Sequence, residues 1–274
     1  MMKQNKVPKR LVGAALVVFA GAVFCSGSDS SGSQRPDRFQ SLLQRTNDQM
    51  SEYVDRFSDV RCTEKVLQEK FKNGKDKIDL KEESTFDYLV ILSNTGGELS
   101  LSESRLPVKE AKADKKNRSM LVSNGFATLF LIFHPLYANS FKFNQLEDEV
   151  VDGRRLTKVA FRHIRGTRSP VALALRGREY PLELSGTALI DPETAAIARI
   201  SAGIDNTMVD VGLNTLHTEV EFAPLPFKDW EKTYWFPQRA VVEVETPRQH
   251  WRNTHEFTNY KRFSVSAEEQ VAAK

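Results

Sequence analysis

SMLVSNGFATLFLIFHPLYANSFKF, residues 119–143, is the stretch of this 274-residue sequence around which the rest of the chain is organised. A helix on a protein surface carries an apolar stripe of roughly 100° and is polar elsewhere. In this stretch the apolar side chains would occupy every side of a helix: Leu121, Val122, Phe126, Leu129, Phe130, Leu131, Ile132, Phe133 and Leu136. We therefore expect a helix over 120–137 that is buried on all sides.

A membrane-spanning segment is the alternative interpretation of so apolar a stretch. Ser123, Asn124 and Gly125 interrupt the run at one end, and His134-Pro135 interrupts it at the other. The remaining run is shorter than the ~20 apolar residues that a spanning helix needs. Burial inside a soluble domain is the better interpretation.

The first 22 residues have the pattern of a secretory signal peptide. Basic residues precede an apolar run from Leu11 to Phe24, and Ala20-Gly21-Ala22 is a small-residue cleavage site. We expect an exported protein, in the periplasm or outside the cell. Lipidation of Cys25 and retention of an uncleaved N-terminal anchor are the alternatives. We expect the protein to contact the membrane only transiently or through such an anchor.

Charge and cysteine content exclude two classes of protein. Without the four basic residues of the signal, 35 basic and 36 acidic residues remain, so nothing favours nucleic acid as a partner. Cys25 and Cys62 are the two cysteines, too few for a disulfide framework. A single bridge is one interpretation, and Cys62 as a small buried side chain on a strand is the other.

The pattern after the signal predicts a tether, one domain and a tail. Residues 23–36 are rich in Ser and Gly and form a flexible tether, 37–265 form a single domain, and 266–274 are a C-terminal tail. The domain begins with an amphipathic helix from Pro36, whose apolar residues recur every three or four positions: Phe39, Leu42, Leu43, Met50, Tyr53, Val54 and Phe57.

From Asp59 onward the apolar period changes to two, which predicts strands. Turn residues punctuate them at Thr95-Gly96-Gly97, Asp152-Gly153 and Asp191-Pro192-Glu193-Thr194, and 106–118 is a charged loop. Pro237 should begin its strand, where its missing N–H does least harm. We expect nine to eleven antiparallel strands in meander order.

These elements predict the fold class. It is mainly β with two helices: a curved antiparallel sheet, or incomplete β-barrel, wrapped around the buried helix, because a sheet of this size rarely stays flat. The amphipathic helix would cover the open end of this incomplete barrel.

The sequence carries no recognisable catalytic or metal-binding pattern. His250 and His255 are five apart on a predicted strand, so they face opposite sides and cannot share a metal ion. His134, beside Pro135, is expected to satisfy carbonyls at the end of the buried helix. No nucleophile-elbow, phosphate-loop or paired-cysteine motif is present. We predict a protein that is not an enzyme and has no cofactor.

Three segments give the sequence a resemblance to a known family: GFATLFLIFHPLYANSF at 125–141, ALIDPETAAIARI at 188–200, and TYWFPQRAVVEV at 233–244 followed by HWRNTHEFTNYKRF. Over residues 37–265 the chain resembles the bacterial outer-membrane lipoprotein-sorting (LolA-like) superfamily, and more narrowly a secreted branch of it in soil bacteria. The resemblance implies an incomplete barrel around helices, with an apolar cavity for lipid acyl chains.

Two functions follow from these expectations. In the first, the protein binds a lipid or acyl chain in an apolar cavity, whose walls include Val54, Phe57, Phe126, Leu129, Phe130 and Phe133. In the second, the helix fills the cavity with its own side chains. The domain is then a structural or sensor scaffold whose loops bind another envelope protein.

Overall fold

The computed structural model describes residues 34–72, 77–95, 98–108, 123–175 and 178–262. The predicted signal peptide, Cys25, the tether up to residue 33, most of the 106–118 loop and the C-terminal tail lie outside these residues. The first helix begins at Gln34, so the last three residues assigned to the tether belong to it.

Within the described residues the chain forms thirteen strands, two α-helices and two 3₁₀ helices. The helices are α1 (Gln34–Ser58), the inner helix (Phe126–Phe133, 3₁₀), α2 (Pro135–Ala138) and a 3₁₀ turn (Val209–Val211). The strands are β1 (Val60–Phe71), β2 (Ile78–Thr95), β3 (Glu98–Pro107), β4 (Phe141–Gln145), β5 (Glu149–Val151), β6 (Arg154–His163), β7 (Ala172–Leu175), β8 (Arg178–Pro181), β9 (Leu184–Ile190), β10 (Ile197–Ile204), β11 (Thr215–Leu225), β12 (Tyr234–Glu245) and β13 (His250–Arg262).

Eleven of the strands form one antiparallel sheet in the order β3-β2-β1-β13-β12-β11-β10-β9-β6-β4, with β5 also paired to β6. β7 and β8 form a separate hairpin. The two ends of the sheet, β3 and β4, do not pair with each other, so the sheet stays open. The prediction of a mainly β fold with an incomplete barrel is confirmed.

The predicted meander order is wrong at two points. β13 inserts beside β1, and β9 pairs with β6 rather than with its neighbour in sequence, β8. Apolar alternation identifies a strand and its inward face, but it carries no information on which strands lie side by side. As a result, the first and the last strand in sequence lie side by side in the interior of the sheet.

α1 is the amphipathic helix that the sequence predicts. Its apolar residues Leu42, Met50, Tyr53 and Phe57 are buried in the core. The helix packs on the inner face of the sheet against β1 and β2, and it also contacts the inner helix.

The inner helix confirms that the 119–143 stretch contains the buried centre, but it is not one α-helix over 120–137. All eight of its residues are buried, and it is a 3₁₀ helix that begins after Gly125, which has φ 80°. Pro135 starts a separate short α2. Leu136, expected to be buried, is 45% exposed. Leu121 and Val122 lie outside the described residues.

His134 corrects a second expectation. Its Nδ1 accepts a hydrogen bond from the backbone N–H of Leu136 at 3.2 Å. The side chain therefore caps the start of α2 instead of satisfying carbonyls at the end of the inner helix. Pro135 determines this arrangement because it suits the first position of a helix.

Two of the three predicted turns agree with the sequence, and Gly96 and Gly97 of the other lie outside the described residues. The prediction for Pro237 is wrong. Asp152 and Gly153 both have positive φ, as a two-residue hairpin turn requires. Asp191 accepts hydrogen bonds from the N–H groups of Glu193 and Thr194. Pro237 is the fourth residue of β12, in the middle of the sheet, where the register with β11 shifts. This bulge tolerates a residue without an N–H.

Candidate functional site

An apolar cavity of about 130 Å³ lies between the inner helix, the β7–β8 hairpin and the inner face of β9 to β12. Most of its walls are aliphatic, including Leu129, Leu182, Leu184, Leu213, Leu216 and Val242. The polar residues among those that line it are Ser123, Asn124 and Thr218. Asn124 is exposed to solvent, so it marks the mouth of the cavity.

The 3₁₀ geometry divides the predicted site residues between two environments. In an α-helix Phe126, Leu129, Phe130 and Phe133 would share one side, but with three residues per turn only every third side chain aligns. Phe126 and Leu129 line the cavity. Phe130 and Phe133 point elsewhere, into the packed core.

Four of the six predicted residues therefore lie away from the cavity walls. Phe130 packs edge-on against Tyr53 with ring centroids 4.7 Å apart, and its ring is 5.8 Å from that of Phe57. Phe133 packs against Phe143, with centroids 5.1 Å apart. Val54 is also part of the buried core. The structure does not bring the six residues together in one site.

A buried charged network beside the cavity was not predicted. Glu64 of β1 accepts hydrogen bonds from Arg105 of β3 at 2.6 and 3.0 Å, and His255 Nδ1 of β13 lies 2.8 Å from the same carboxylate. The Arg105 guanidinium is also 3.0 Å from Glu103. The side chains of Glu64 and His255 are 0% and 2% exposed.

This network holds the chain where it enters the inner helix. Arg105 donates to Asn124 Oδ1, and the backbone N–H of Gly125 donates to Glu103 Oε1 at 3.1 Å. On the same side, Asn253 Nδ2 donates to Ser123 Oγ at 2.5 Å. The mouth of the cavity is therefore attached to the sheet through polar contacts to β3 and β13.

The environment sets the charges of the network. Burial alone would raise the pKa of Glu64, but hydrogen bonds from His255 and Arg105 outweigh burial and lower it. Burial raises the pKa of Glu103 and lowers the pKa of His255. Glu64 and Arg105 consequently form an ion pair, and His255 is a neutral imidazole at pH 7.

The sequence does contain a signal for this network, although a weak one. Glu64 falls between Cys62 and Val66 in the inward register of β1, and Asn253 and His255 fall between Trp251 and Phe257 in that of β13. A charged residue in an apolar register indicates a buried partner. The partner itself cannot be found this way, because Glu64 and His255 are 191 residues apart.

His250 and His255 face opposite sides of β13, as predicted, and His250 pairs with Glu243. Cys62 is a buried free thiol among the described residues, and burial raises its pKa to about 12. Those residues contain no group of three or more His, Cys, Asp or Glu side chains that could hold a metal ion. They also contain no helix that is long and apolar enough to span a membrane.

No protein-family model matches the chain, and no curated protein is significantly similar to it in sequence. It is similar to the crystal structure of a DUF1329 family protein from Desulfovibrio piger, with a TM-score of 0.44 and 10% identity, over 86% of this chain and 94% of that one. It is also similar to a putative outer membrane lipoprotein-sorting protein domain from Vibrio parahaemolyticus, with a TM-score of 0.39 and 9% identity, over 85% and 95%.

A third similarity is to the Pseudomonas aeruginosa MucA/MucB complex structure, with a TM-score of 0.20 and 8% identity, over 84% of this chain and 99% of that one. The Vibrio structure carries the description to which the sequence resemblance pointed. At TM-scores below 0.5, none of these similarities bears on what this chain binds.

Proposed function

We propose that this chain is an exported, non-catalytic binding protein of the cell envelope that takes an apolar group into the cavity beneath the inner helix. The single observation that supports the proposal is the cavity, with its aliphatic walls and its polar mouth at Ser123 and Asn124. The signal-peptide pattern of residues 1–22 supports the compartment.

The size of the cavity limits what can enter it. An apolar protein cavity of about 150 Å³ binds benzene, whereas pockets for larger ligands measure about 300 to 1,000 Å³. At about 130 Å³, this one accepts a ring or the end of an acyl chain. We propose Phe126 and Leu129, of the six predicted residues, as those that contact the ligand.

The expected binding is weak and reversible. Burial of about five methylene groups at about 0.8 kcal/mol each gives about 4 kcal/mol, which corresponds to a Kd on the order of 1 mM. Such an affinity suits a protein that must release its ligand again.

The cavity offers no group for chemistry on a bound ligand. None of the residues that line it is an Asp, Glu, His, Lys or Cys, so no side chain there can exchange a proton near pH 7. The hydroxyl of Ser123 accepts its hydrogen bond from Asn253, a neutral amide that cannot act as a base. This composition supports binding without catalysis.

The test is a titration of the purified protein with benzene and with 1-hexanol, followed by NMR of its methyl groups. We expect saturable shifts confined to the leucine and valine methyls of the walls. Ala202→Leu should abolish the shifts, because Ala202 lines the cavity and the added carbons fill it. Ala160→Leu, on β6 and away from the cavity, is the matched control and should leave them unchanged.

Absence of saturable binding by the wild-type protein would overturn the proposal. The alternative predicted from the sequence, a scaffold whose loops bind another envelope protein, would then take its place. The aromatic packing around Phe130 and Phe133 is the observation that favours that alternative.

A further inference from the structure

The entrance to the inner helix is held by polar side chains of β3 and β13, and one of them, Arg105, is linked through Glu64 to His255. Ser123, Asn124 and Gly125 are bonded to Asn253, Arg105 and Glu103. The next residue, Phe126, lies on the His255 ring with centroids 4.3 Å apart. Its side chain thus covers the imidazole and at the same time lines the cavity.

The two ring nitrogens of His255 are in different situations. Nδ1 lies 2.8 Å from Glu64 Oε1, so in the neutral ring Nδ1 carries the proton and its N–H donates a hydrogen bond to the carboxylate. Nε2 is buried and has no hydrogen-bond partner among the described residues. A proton added at Nε2 would create a buried donor without an acceptor, which is costly.

Displacement of Phe126 is the simplest way to relieve that cost. His255 lies on β13, whose backbone pairs with β1 on one side and with β12 on the other, so these strands cannot move apart easily. The Phe126 ring lies against the imidazole and is held by side-chain contacts only, so it is the neighbour whose movement would expose the imidazole to water. The same movement opens the wall of the cavity that Phe126 forms.

We propose that His255 and the carboxylates and arginine around it form an acid-sensitive latch on the segment Ser123–Phe126. The latch is closed while the imidazole is neutral and opens when Nε2 takes up a proton. Its role in ligand release rests on the proposed function of the cavity, whereas the opening itself does not.

The charged groups that face His255 determine the pH range. Glu64 of β1 adjoins it directly, and Arg105 and Glu103 of β3 lie behind that carboxylate. Tyr88 of β2, under the Arg105 guanidinium, stays neutral because burial raises its pKa. On the β12 side the paired residue, Ala240, is apolar.

The sign of the effect follows from these directions. Because burial lowers the pKa of His255 below its ordinary 6.5, the closed state is fully stable above that pH and loses stability as the pH falls. Glu103 acts in the opposite sense, since its raised pKa means that protonation relieves its burial. Glu64, whose pKa is lowered, adds to the loss only below its ordinary 4.5.

Hydrogen exchange of the purified protein without ligand tests the latch. After correction for intrinsic exchange, we expect the amides of 125–131 to open several-fold more often at about pH 5.5 than at about pH 7.5. The amides of 218–222 and 240–244, in the middle strands, should keep their protection. Equal protection of 125–131 at the two pH values, or an equal loss in both regions, would overturn the proposal.

His255→Gln supplies an independent test, because glutamine can donate to Glu64 but does not titrate near neutral pH. The change in protection between the two pH values should disappear in this variant. It should persist in His250→Gln, the same substitution on the opposite face of β13. If the first variant does not fold, the wild-type exchange profile and the His250→Gln control still decide.

Ligand binding is measured separately, with the 1-hexanol titration at about pH 7.5 and at about pH 5.5. Opening without any hexanol binding would retain the latch and remove the proposed function. Hexanol binding without pH-dependent opening would retain the proposed function and remove the latch.

Discussion

Phe130 illustrates how completely aromatic side chains fill the core away from the cavity. Its ring packs against Tyr53 and Phe57, and Phe57 in turn packs against Phe236. Aromatic pairs at such separations contribute beyond the area that they bury. Phe130 therefore belongs to the stability of the fold more than to the cavity.

Truncation of this side chain gives the first prediction. Phe130→Ala should lower the free energy of unfolding by about 3 to 5 kcal/mol, because the surrounding rings cannot close the space that it leaves. Chemical denaturation measures the loss. Leu136→Ala, at an exposed position in α2, is the control and should change stability by less than about 0.5 kcal/mol.

A small effect of Phe130→Ala would contradict the packed core. It would show that the ring borders empty space, as the sequence-based site prediction assumed. Enhanced binding of benzene by the variant would not contradict it, since the substitution creates a new cavity.

The sequence shows which residues point inward, but it does not show which of these side chains contact each other. Alternation in 216–222 correctly identifies Val220 and Phe222 as inward. The pairing of Glu64 with Arg105 and His255 joins β1, β3 and β13, whose relative positions in the sheet the sequence does not give. Local periodicity marks a buried charge by its place in an apolar register, but it does not identify the partner across the sheet.

At the scale of elements, the inner helix shows why helix type was not predictable. A segment that is apolar on all sides has no stripe whose period could distinguish 3.6 from 3.0 residues per turn. With a rise of about 2.0 Å instead of about 1.5 Å per residue, the 3₁₀ form spans more of the sheet's inner face. Its period then decides that Phe126 and Leu129 reach the cavity and Phe130 does not.

β9 and β10 approach each other closely at Gly186. A Cβ on Gly186 would lie 1.9 Å from the carbonyl oxygen of Ser201, a backbone atom that cannot move without distorting the ladder. Gly186→Ala should therefore destabilise the protein by about 1 to 3 kcal/mol or more. Thr187→Ala, at the next position of β9, should cost much less.

Thermal or denaturant unfolding measures both variants. A melting temperature for Gly186→Ala equal to that of the wild type would show that the two strands can separate locally. The size of the cavity would then have to be reconsidered, because Leu184 of β9 and Ala202 of β10 form part of its wall.

For the molecule as a whole, composition and strand patterns predicted an open sheet around a buried segment. They also predicted the place of that segment in the chain, since the inner helix follows β3. They could not predict that β13 pairs with β1, or that β9 skips the β7–β8 hairpin to reach β6. The pairing of β13 with β1 depends on contacts between residues nearly 200 positions apart, such as Val66 with His255.

The central position of β13 gives the last prediction. A chain that stops after Gln249 lacks β13, which exposes the pairing edges of both β1 and β12 and removes His255 and Phe257 from the core. It should be unfolded by circular dichroism and degraded by protease. Deletion of 172–181 removes only the separate β7–β8 hairpin and should leave the sheet folded.

Retention of a protease-resistant core in the chain that stops after Gln249 would contradict the central role of β13. The chain without the hairpin, expressed and purified in the same way, controls for the effect of shortening the chain.

The pairing of β1 with β13 also places a limit on the timing of folding during synthesis. A ribosome produces β1 early, but its partner on one side emerges only after roughly 190 further residues, a delay of about 10 to 40 s at ordinary elongation rates. Until then the nascent chain cannot complete its sheet. For a protein that is threaded through a membrane, as we propose, this delay postpones completion of the sheet during an interval in which translocation requires an unfolded chain.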